Sequence, residues 1–489
     1  MAKSNPVDLT LYVTSDSGKP LYQQIYEQIR SLALSGSIEE GRKLPSIRTL
    51  SCALGVSHTT VEQAYLQLSV EGIARNVPRS GYVVEKFDTE FLQEIPDAVE
   101  ERFREVAAIA HGRDQEAFYA ENAKGRKVRY DFSYANLPRD AFPAKIWRQL
   151  INDVLYKDEI PEMSRYMQSN EPSGLCAEIA RYVSRARGAR CTAEQVVLQP
   201  GTDNALNTLF QLFDRRCHVV GIEEPGYATA IEAARRNGFR IAPLTVVHGA
   251  DAFLRAIDEA KPKIIFATPS HQFPTGKVLS LDARIRLLKW AEQNNAYIIE
   301  DDSCNEYRYN SLPIPSLQSL DAHNRVIYLC NVSKVLSPSV RIAYFVLPPK
   351  LLRRYLMLFN HTHPSTPWLV QEALARFFSQ GHWDAQVRRM ARSLHKRHDV
   401  LLECLQLEMG DRVEVSGVFS GMHFYLNVRN GMSQEQLLDS ARKHDAQVYG
   451  TSRMWQDKEN AENAVMIGFS AISPEEIPGG VRALKDAWF

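Results

Sequence analysis

Residues 332–344, VSKVLSPSVRIAY, follow one apolar run that is typical of a strand, 326–329, and lead into a second, 343–347. This stretch carries Lys334, and Arg341 follows seven residues after it. A single lysine is most often a solvated surface residue. The stretch is informative because loops elsewhere in the same part of the chain carry groups that complement it.

Beyond residue 129, strand-like and helix-like segments alternate, which predicts an α/β fold with a mostly parallel sheet and flanking helices. Each apolar run ends in a polar or glycine-bearing loop. In open α/β sheets, ligands collect at the carboxyl ends of the strands, so these loops are where a site is expected. The predicted strands span residues 195–198, 218–222, 263–267, 297–299, 326–329 and 343–347.

Two of these loops carry groups that suit a phosphorylated ligand. Residues 199–206, QPGTDNAL, open into a helix. The free amides of Thr202 and Asp203, next to Gly201, are predicted to form a phosphate cup. Residues 300–302, EDD, place carboxylates at the end of another strand. Neither feature is decisive alone, because such loops are common and a single carboxylate is usually a cap or solvated.

Together with Ser333, Lys334 and Arg341, these groups form the set that pyridoxal 5'-phosphate (PLP) requires. Lys334 is predicted to form the Schiff base and is the predicted catalytic residue. Asp301 is predicted to keep the ring nitrogen protonated, so that the ring can accept electrons. Arg341 and the cup are predicted to hold the phosphate. The predicted cofactor is therefore PLP.

The N-terminal part of the chain shows a different pattern, with three helical segments at residues 20–36, 45–54 and 57–72. The turn LGVS separates the second helix from the third. Two short extended runs, 73–75 and 82–84, follow as a hairpin. This order of elements predicts a winged helix-turn-helix, a DNA-binding fold.

In a helix-turn-helix, the first residues of the third helix face outward and reach base edges in the major groove. An arginine on the preceding helix and one at the tip of the hairpin are placed for phosphate or groove contact. Any one of these residues alone is most simply interpreted as a solvated surface residue. The ordered set of helices, turn and hairpin is a far more specific indication of DNA binding. The predicted DNA-binding residues are Arg48, Ser57, His58, Thr59, Thr60 and Arg79.

Residues 20–84 resemble the GntR-type winged helix through LPSIRTL, LGVSHTTVEQAY, EGI and RSGYVV. His58 stands where that family usually has arginine, and Arg79 stands near a usual glycine. A mostly neutral histidine is a weaker phosphate partner than arginine. A difference from the family in operator sequence or affinity is therefore expected.

From about residue 130 the chain resembles a fold-type I aminotransferase, specifically the domain that is fused to GntR heads in MocR-type regulators. The stretches YMQSNEPSG (166–174), EPGY (224–227) and TPSHQFPTG (268–276) carry the resemblance. It implies a homodimer in which Tyr166 reaches the phosphate of the cofactor bound by the other copy. It also implies that Tyr227 stacks on the cofactor ring. Core packing is the alternative interpretation of both tyrosines.

Three departures from the aminotransferase pattern bear on chemistry. Ser303 replaces the tyrosine two residues after Asp301, so the usual hydrogen bond to the ring hydroxyl is expected to be lost or rerouted. Asn331 replaces a hydroxyl residue three positions before Lys334, and we predict that it also contacts the cofactor. Residues 465–469, VMIGF, contain no arginine where aminotransferases bind the substrate carboxylate. This pattern favours a sensor over a catalyst.

Bulk composition agrees with a DNA-binding part joined to a ligand-binding part. The 489 residues include 58 Lys+Arg and 58 Asp+Glu, so the net charge is zero. Any DNA-binding surface must therefore be a positively charged patch on one part of the molecule. The seven cysteines form no C-x-x-C pair, which is typical of reduced cytoplasmic thiols, and no metal site is expected. The sequence shows no signal core and no apolar run long enough to span a bilayer. We expect a DNA-binding domain at 1–86, a linker at 87–128 and a PLP domain at 129–489, with a small subdomain from about 365.

The leading hypothesis is a transcriptional regulator whose PLP domain senses an amine, an amino acid or PLP itself through aldimine formation at Lys334. Its expected partners are a double-stranded DNA operator, the small effector and a second copy of the chain. The alternative is an active aminotransferase with a DNA-binding head, in which Arg235, Arg236 or Arg308 would bind the substrate carboxylate. A third interpretation is a DNA-binding protein that no longer holds PLP. The presence of Lys334, Asp301 and Arg341 disfavours it.

Overall fold

The computed structural model describes residues 7, 9–14, 18–78, 80–86, 128–134, 136–138, 140–156, 173–214, 219–309, 314–360, 362, 365–456 and 463–489. The chain divides into two compact units, Met1–Gly125 and Arg126–Phe489. Two predicted site residues, Arg79 and Tyr166, lie outside the described residues, as does nearly all of the predicted linker.

The described residues of the N-terminal unit form three helices and a two-stranded antiparallel hairpin, as the pattern predicts. The Ser46 and Ser57 hydroxyls cap the second and third helices by accepting from the Thr49 and Thr60 amides. The third helix packs on the first through buried apolar residues, with Tyr65 fully buried between them. The elements are α1 (Leu21–Leu34), α2 (Ile47–Leu54), α3 (His58–Val70), β1 (Ala74–Val77) and β2 (Gly81–Val84).

A seven-stranded mixed sheet forms the centre of the second unit, in the spatial order β4-β10-β9-β8-β7-β5-β6. The strands from β9 to β6 pair in parallel, whereas β10 runs antiparallel to both of its neighbours. The strands are β4 (Val196–Gln199), β5 (Val219–Glu224), β6 (Arg240–Thr245), β7 (Ile264–Ala267), β8 (Tyr297–Asp301), β9 (Val326–Asn331) and β10 (Ala343–Val346).

Six of these strands overlap predicted ones, and β6 was not predicted. It is an edge strand that contains Pro243 and has one fully buried residue, Leu244. A proline is tolerated at an edge because the outer backbone groups need no strand partner. The weak apolar run of an edge strand explains why its sequence did not indicate a strand.

The remaining elements of the second unit flank this sheet or build a smaller α+β region. A four-stranded antiparallel sheet there has the order β11-β12-β15-β14, and β3 pairs in parallel with β13. These strands are β3 (Tyr130–Asp131), β11 (Val413–Ser416), β12 (His423–Val428), β13 (Ala446–Gln447), β14 (Tyr449–Gly450) and β15 (Ala464–Gly468). The helices are α4 (Ala144–Tyr156), α5 (Gly174–Arg187), α6 (Thr202–Gln211), α7 (Ala228–Arg236), α8 (Ala250–Ala260), α9 (Leu281–Gln293), α10 (Leu317–Leu320), α11 (Pro349–Phe359), α12 (Trp368–Ser379), α13 (His382–Glu408), α14 (Gln434–Lys443) and α15 (Ile477–Trp488).

The strand register brings several loops to one edge of the large sheet. Ala343, the first residue of β10, pairs with both Gln199 at the end of β4 and Asn331 at the end of β9. A hydrogen bond from Val332 N to Ile342 O, 3.1 Å long, closes the base of the connection between β9 and β10. The loop after β4, the loop after β8 and the connection between β9 and β10 therefore meet at this edge.

Candidate functional site

The loop after β4 forms the start of an anion cup at this edge. Gly201 has φ +98° and directly precedes α6, whose first amides have no carbonyl partner within the helix. The guanidinium of Arg341 packs against Gly201 so closely that a β-carbon there would overlap it. The structure thus brings together Gly201, the amides of Thr202 and Asp203, and Arg341, a combination suited to a phosphate group.

Asp301 is the last residue of β8 and is only 8% exposed. Its Oδ1 accepts two hydrogen bonds from Ser303, from the amide at 3.0 Å and from the hydroxyl at 2.6 Å. Burial raises the pKa of Asp301, and the hydrogen bonds from Ser303 and the charge of Lys334 oppose that rise. Oδ2 accepts no hydrogen bond from the residues that the structure describes, so it remains available to a ring nitrogen.

Lys334 lies in the turn that follows β9, and the side chains of Tyr307 and Asn331 help to hold this turn. The hydroxyl of the buried Tyr307 donates to the Lys334 carbonyl at 2.7 Å, and the Ser333 amide donates to Asn331 Oδ1 at 3.0 Å. His423, on β12, is buried, and burial together with the charge of Lys334 lowers its pKa to about 4. The lysine is therefore held at the same edge as the cup and Asp301.

Aromatic side chains line the neighbouring loops. Tyr227 precedes α7 and is half-buried, with its ring nearly parallel to Phe266 (centroids 6.2 Å apart) and edge-on to Phe273 (5.9 Å). Phe273 also lies 5.4 Å from the His423 ring and 5.7 Å from the Tyr134 ring. Stacking of Tyr227 on a cofactor ring stays a prediction.

Two of the three departures from the aminotransferase pattern, Ser303 and Asn331, contact each other. Asn331 Nδ2 donates to Ser303 Oγ at 2.8 Å and lies 3.3 Å from Thr202 Oγ1. The rerouted hydrogen bond of Ser303 goes to Asp301. The two residues are 28 positions apart in the chain, so no local pattern indicates that they are partners.

A buried ion pair next to Asp301 was not predicted. Arg187, from α5, donates to both carboxylate oxygens of Asp302, at 2.6 and 2.9 Å. Its guanidinium also donates to Ser270 Oγ at 3.0 Å, and Tyr328 donates its hydroxyl proton to Asp302 at 2.8 Å. The arginine and aspartate are separated by 115 positions, so no local signal could have indicated the pair.

Two of the three arginines considered as substrate ligands, Arg236 and Arg308, have other contacts. Arg236 pairs with Asp203 at the surface, and Arg308 donates to the Ser270 carbonyl at 2.8 Å. Arg235 is exposed on α7. In β15, the region without an arginine, Met466 is fully buried in an apolar cluster with Trp455 and other side chains.

In the N-terminal unit, Arg48 is exposed on α2, and His58 and Thr59 are exposed in the first turn of α3. The hydroxyls of Ser57 and Thr60 lie 2.8 Å apart, and that of Ser57 also caps the helix. His58 and Thr59 thus have no capping role and present their side chains at the end of the helix that enters a groove in this fold.

The residues at the sheet edge fit PLP by three observations: a cup in which Arg341 packs against Gly201 too closely to admit a β-carbon, a buried carboxylate with one oxygen available, and a lysine held at the same edge. In the part of the chain that the structure describes, no group of three or more His, Cys, Asp or Glu side chains is arranged to hold a metal ion. Nor does any helix there combine the length and apolar character needed to cross a bilayer.

Comparison with known proteins assigns both units. Residues 133–454 match the aminotransferase class I and II family, and residues 21–84 match the GntR family of bacterial regulatory proteins. The chain is 34% identical to the uncharacterized HTH-type transcriptional regulator YdeL of Bacillus subtilis, over 99% of this chain and all of that protein. It is 29% identical to the probable rhizopine catabolism regulatory protein MocR of Rhizobium meliloti, over 98% of this chain and 96% of that one.

Solved structures match the second unit. The α-aminoadipate aminotransferase LysN of Thermus thermophilus superposes with a TM-score of 0.68 at 25% identity, covering 79% of this chain and 98% of that one. An archaeal alanine:glyoxylate aminotransferase, at 24% identity, gives 0.69 over 75% and 92% of the two chains. This fold implies dependence on PLP. The chain therefore belongs to the MocR-type regulators, DNA-binding transcriptional regulators in which a GntR-type winged helix-turn-helix is joined to a fold-type I aminotransferase domain.

Proposed function

We propose that this regulator senses a primary amine, an amino acid or PLP itself at Lys334, and that the occupant of this site changes operator binding. The observation that carries the proposal is the convergence of the cup, Asp301 and Lys334 at one sheet edge. PLP, when bound, supplies an aldehyde carbon that condenses with primary amines. An effector amine would compete with Lys334 for that carbon.

The residues of the chain then have separate roles. Arg341 and the α6 amides would hold the phosphate, and Asp301 would hold the ring nitrogen, whichever amine is bound. Lys334 would be released when the effector binds, leaving the turn after β9 with one fewer link to the ligand. A ligand that interacts differently with two states of a protein shifts their populations, and this shift is the proposed signal to the DNA-binding domain.

Turnover as an aminotransferase is disfavoured by β15, where buried Met466 and its apolar neighbours occupy the strand that would carry a carboxylate-binding arginine. We further propose that the protein acts in the cytoplasm as a homodimer with two DNA-binding heads. The fold-type I resemblance supports the dimer, and an operator with two half-sites is then expected.

The test follows visible absorption and operator binding in the same sample of PLP-loaded protein while amines, amino acids and extra PLP are added. An operator is first selected from a random duplex library. We expect one class of compound to change the cofactor band and the operator affinity at the same concentration, with no keto acid released. The Lys334→Ala variant should bind the operator without that response. Continuous release of keto acid with unchanged operator affinity would identify an aminotransferase instead.

Replacement of Arg48 by alanine should weaken operator binding roughly tenfold, because a charge-assisted contact to phosphate is lost. The slope of log affinity against log salt should fall by about 1. Arg30→Ala is the matched control, since Arg30 lies on α1 and is paired with Glu71 at 2.8 Å. If Arg48→Ala and Arg30→Ala behave alike across a salt series, Arg48 does not contact DNA.

A further inference from the structure

We infer that Ser303 and Asn331 act as one positioning pair, which joins the phosphate cup to the carboxylate that receives the ring nitrogen of the cofactor. The inference rests on the proposed role of Asp301 and concerns how this chain replaces the missing tyrosine. Neither residue need touch the reacting atoms. Their role is to fix the orientation of Asp301 relative to the start of α6.

The direction of every hydrogen bond in the pair follows from donor and acceptor chemistry. The Ser333 amide only donates, so the atom of Asn331 that it contacts at 3.0 Å is the side-chain oxygen. The Asn331 nitrogen therefore faces Ser303 Oγ, 2.8 Å away, and must donate to it. The Ser303 hydroxyl proton is then directed to Asp301, at 2.6 Å.

The same Asn331 nitrogen lies 3.3 Å from the hydroxyl of Thr202, the first residue of α6. A continuous path of hydrogen bonds thus runs from the cup through Asn331 and Ser303 to Asp301. Asp301 is buried, and in a buried site each hydrogen bond is stronger and each unmade one more costly. The path links the two groups that would hold opposite ends of the cofactor.

This arrangement accounts together for the departures from the family pattern at positions 303 and 331. A tyrosine at position 303 would direct its phenol towards the ring hydroxyl, as the resemblance implies. The shorter serine instead donates its hydroxyl hydrogen bond to Asp301. An asparagine at position 331 supplies the donor that the serine oxygen then requires. The two substitutions are therefore complementary, and we expect their effects to be coupled.

A double-mutant cycle tests the inference by measuring the PLP dissociation constant and the visible absorption spectrum of bound PLP. The variants are Ser303→Ala, Asn331→Ala and the double variant, with Ser339→Ala as a control, because Ser339 is an exposed serine beyond the same turn. Each single variant should raise the PLP dissociation constant about tenfold. The double variant should bind PLP no more weakly than the weaker of the two single variants. The two single variants should also change the absorption spectrum in the same way. Ser303→Thr, which keeps the hydroxyl, should restore wild-type binding.

Asn331→Asp should weaken PLP binding more than Asn331→Ala, because an ionised carboxylate cannot donate to Ser303 and adds negative charge near Asp301 and the phosphate. Multiplicative effects of the two alanine variants, or an unchanged spectrum with reduced thermal stability only, would overturn the inference. These measurements use neither DNA nor effector. A sensor that fails to respond to amines would therefore refute the proposed function while leaving the result for the pair intact.

Discussion

Replacement of Gly201 by alanine is expected to weaken PLP binding by about 10- to 100-fold. A β-carbon at this position would overlap the guanidinium of Arg341 and displace it from the start of α6. The cup would then lose a charge-assisted contact to the phosphate. The measurement is the PLP dissociation constant, obtained by titrating PLP-free protein and following the visible band.

Gly249→Ala is a closely matched control. Gly249 also precedes a helix, α8, and its φ of +90° is close to the +98° of Gly201. Alanine therefore introduces similar backbone strain at both positions, but no heavy atom lies within 4 Å of a β-carbon at Gly249. Equal PLP affinity in the two variants would show that the contact between Gly201 and Arg341 does not build the cup.

Replacement of Arg187 by methionine is expected to destabilise the second unit by about 3–5 kcal/mol. The arginine and Asp302 side chains are 1% and 0% exposed. Without the arginine, the Asp302 carboxylate would stay buried. Among the described residues, the Tyr328 hydroxyl would then be the one side chain that still donates a hydrogen bond to it. The free energy of unfolding, measured by denaturant titration at fixed PLP concentration, reports the loss.

Arg185→Met provides the comparison on the same helix, since Arg185 pairs with Asp384 at the surface, where the side chains are 66% and 37% exposed. Exposed pairs contribute at most about 1 kcal/mol, so this variant should unfold almost like the wild type. A second change, Asp302→Asn, should recover much of the stability lost in Arg187→Met. If Arg187→Met is no less stable than Arg185→Met, the buried pair does not support this region.

The sequence predicted those parts of the molecule whose signals are local. Apolar periodicity and the turn LGVS indicated the winged helix, and short apolar runs indicated six of the seven strands of the large sheet. The meeting of Lys334, Asp301 and the cup at one edge also follows from the general rule for loops at strand ends. Their roles with PLP stay predictions until binding is measured.

The parts that were not predicted depend on contacts between distant positions. Arg187 reaches Asp302 from a separate helix, and Asn331 reaches Ser303 from a neighbouring strand. Neither residue carries a pattern that identifies its partner, because the pairing is created by the register of the sheet and the packing of α5. The sequence therefore indicated that Ser303 and Asn331 are unusual, but not that they belong together.

The antiparallel course of β10 has a mechanical consequence. Because β9 and β10 are adjacent and joined by one short connection, the residue that would bind the cofactor aldehyde and the residue that would bind its phosphate lie on the same loop. The bond between Val332 and Ile342 clamps the base of that loop. We therefore expect that a change of ligand at Lys334 would also alter the position of Arg341, because the two residues lie on one loop that is closed at its base.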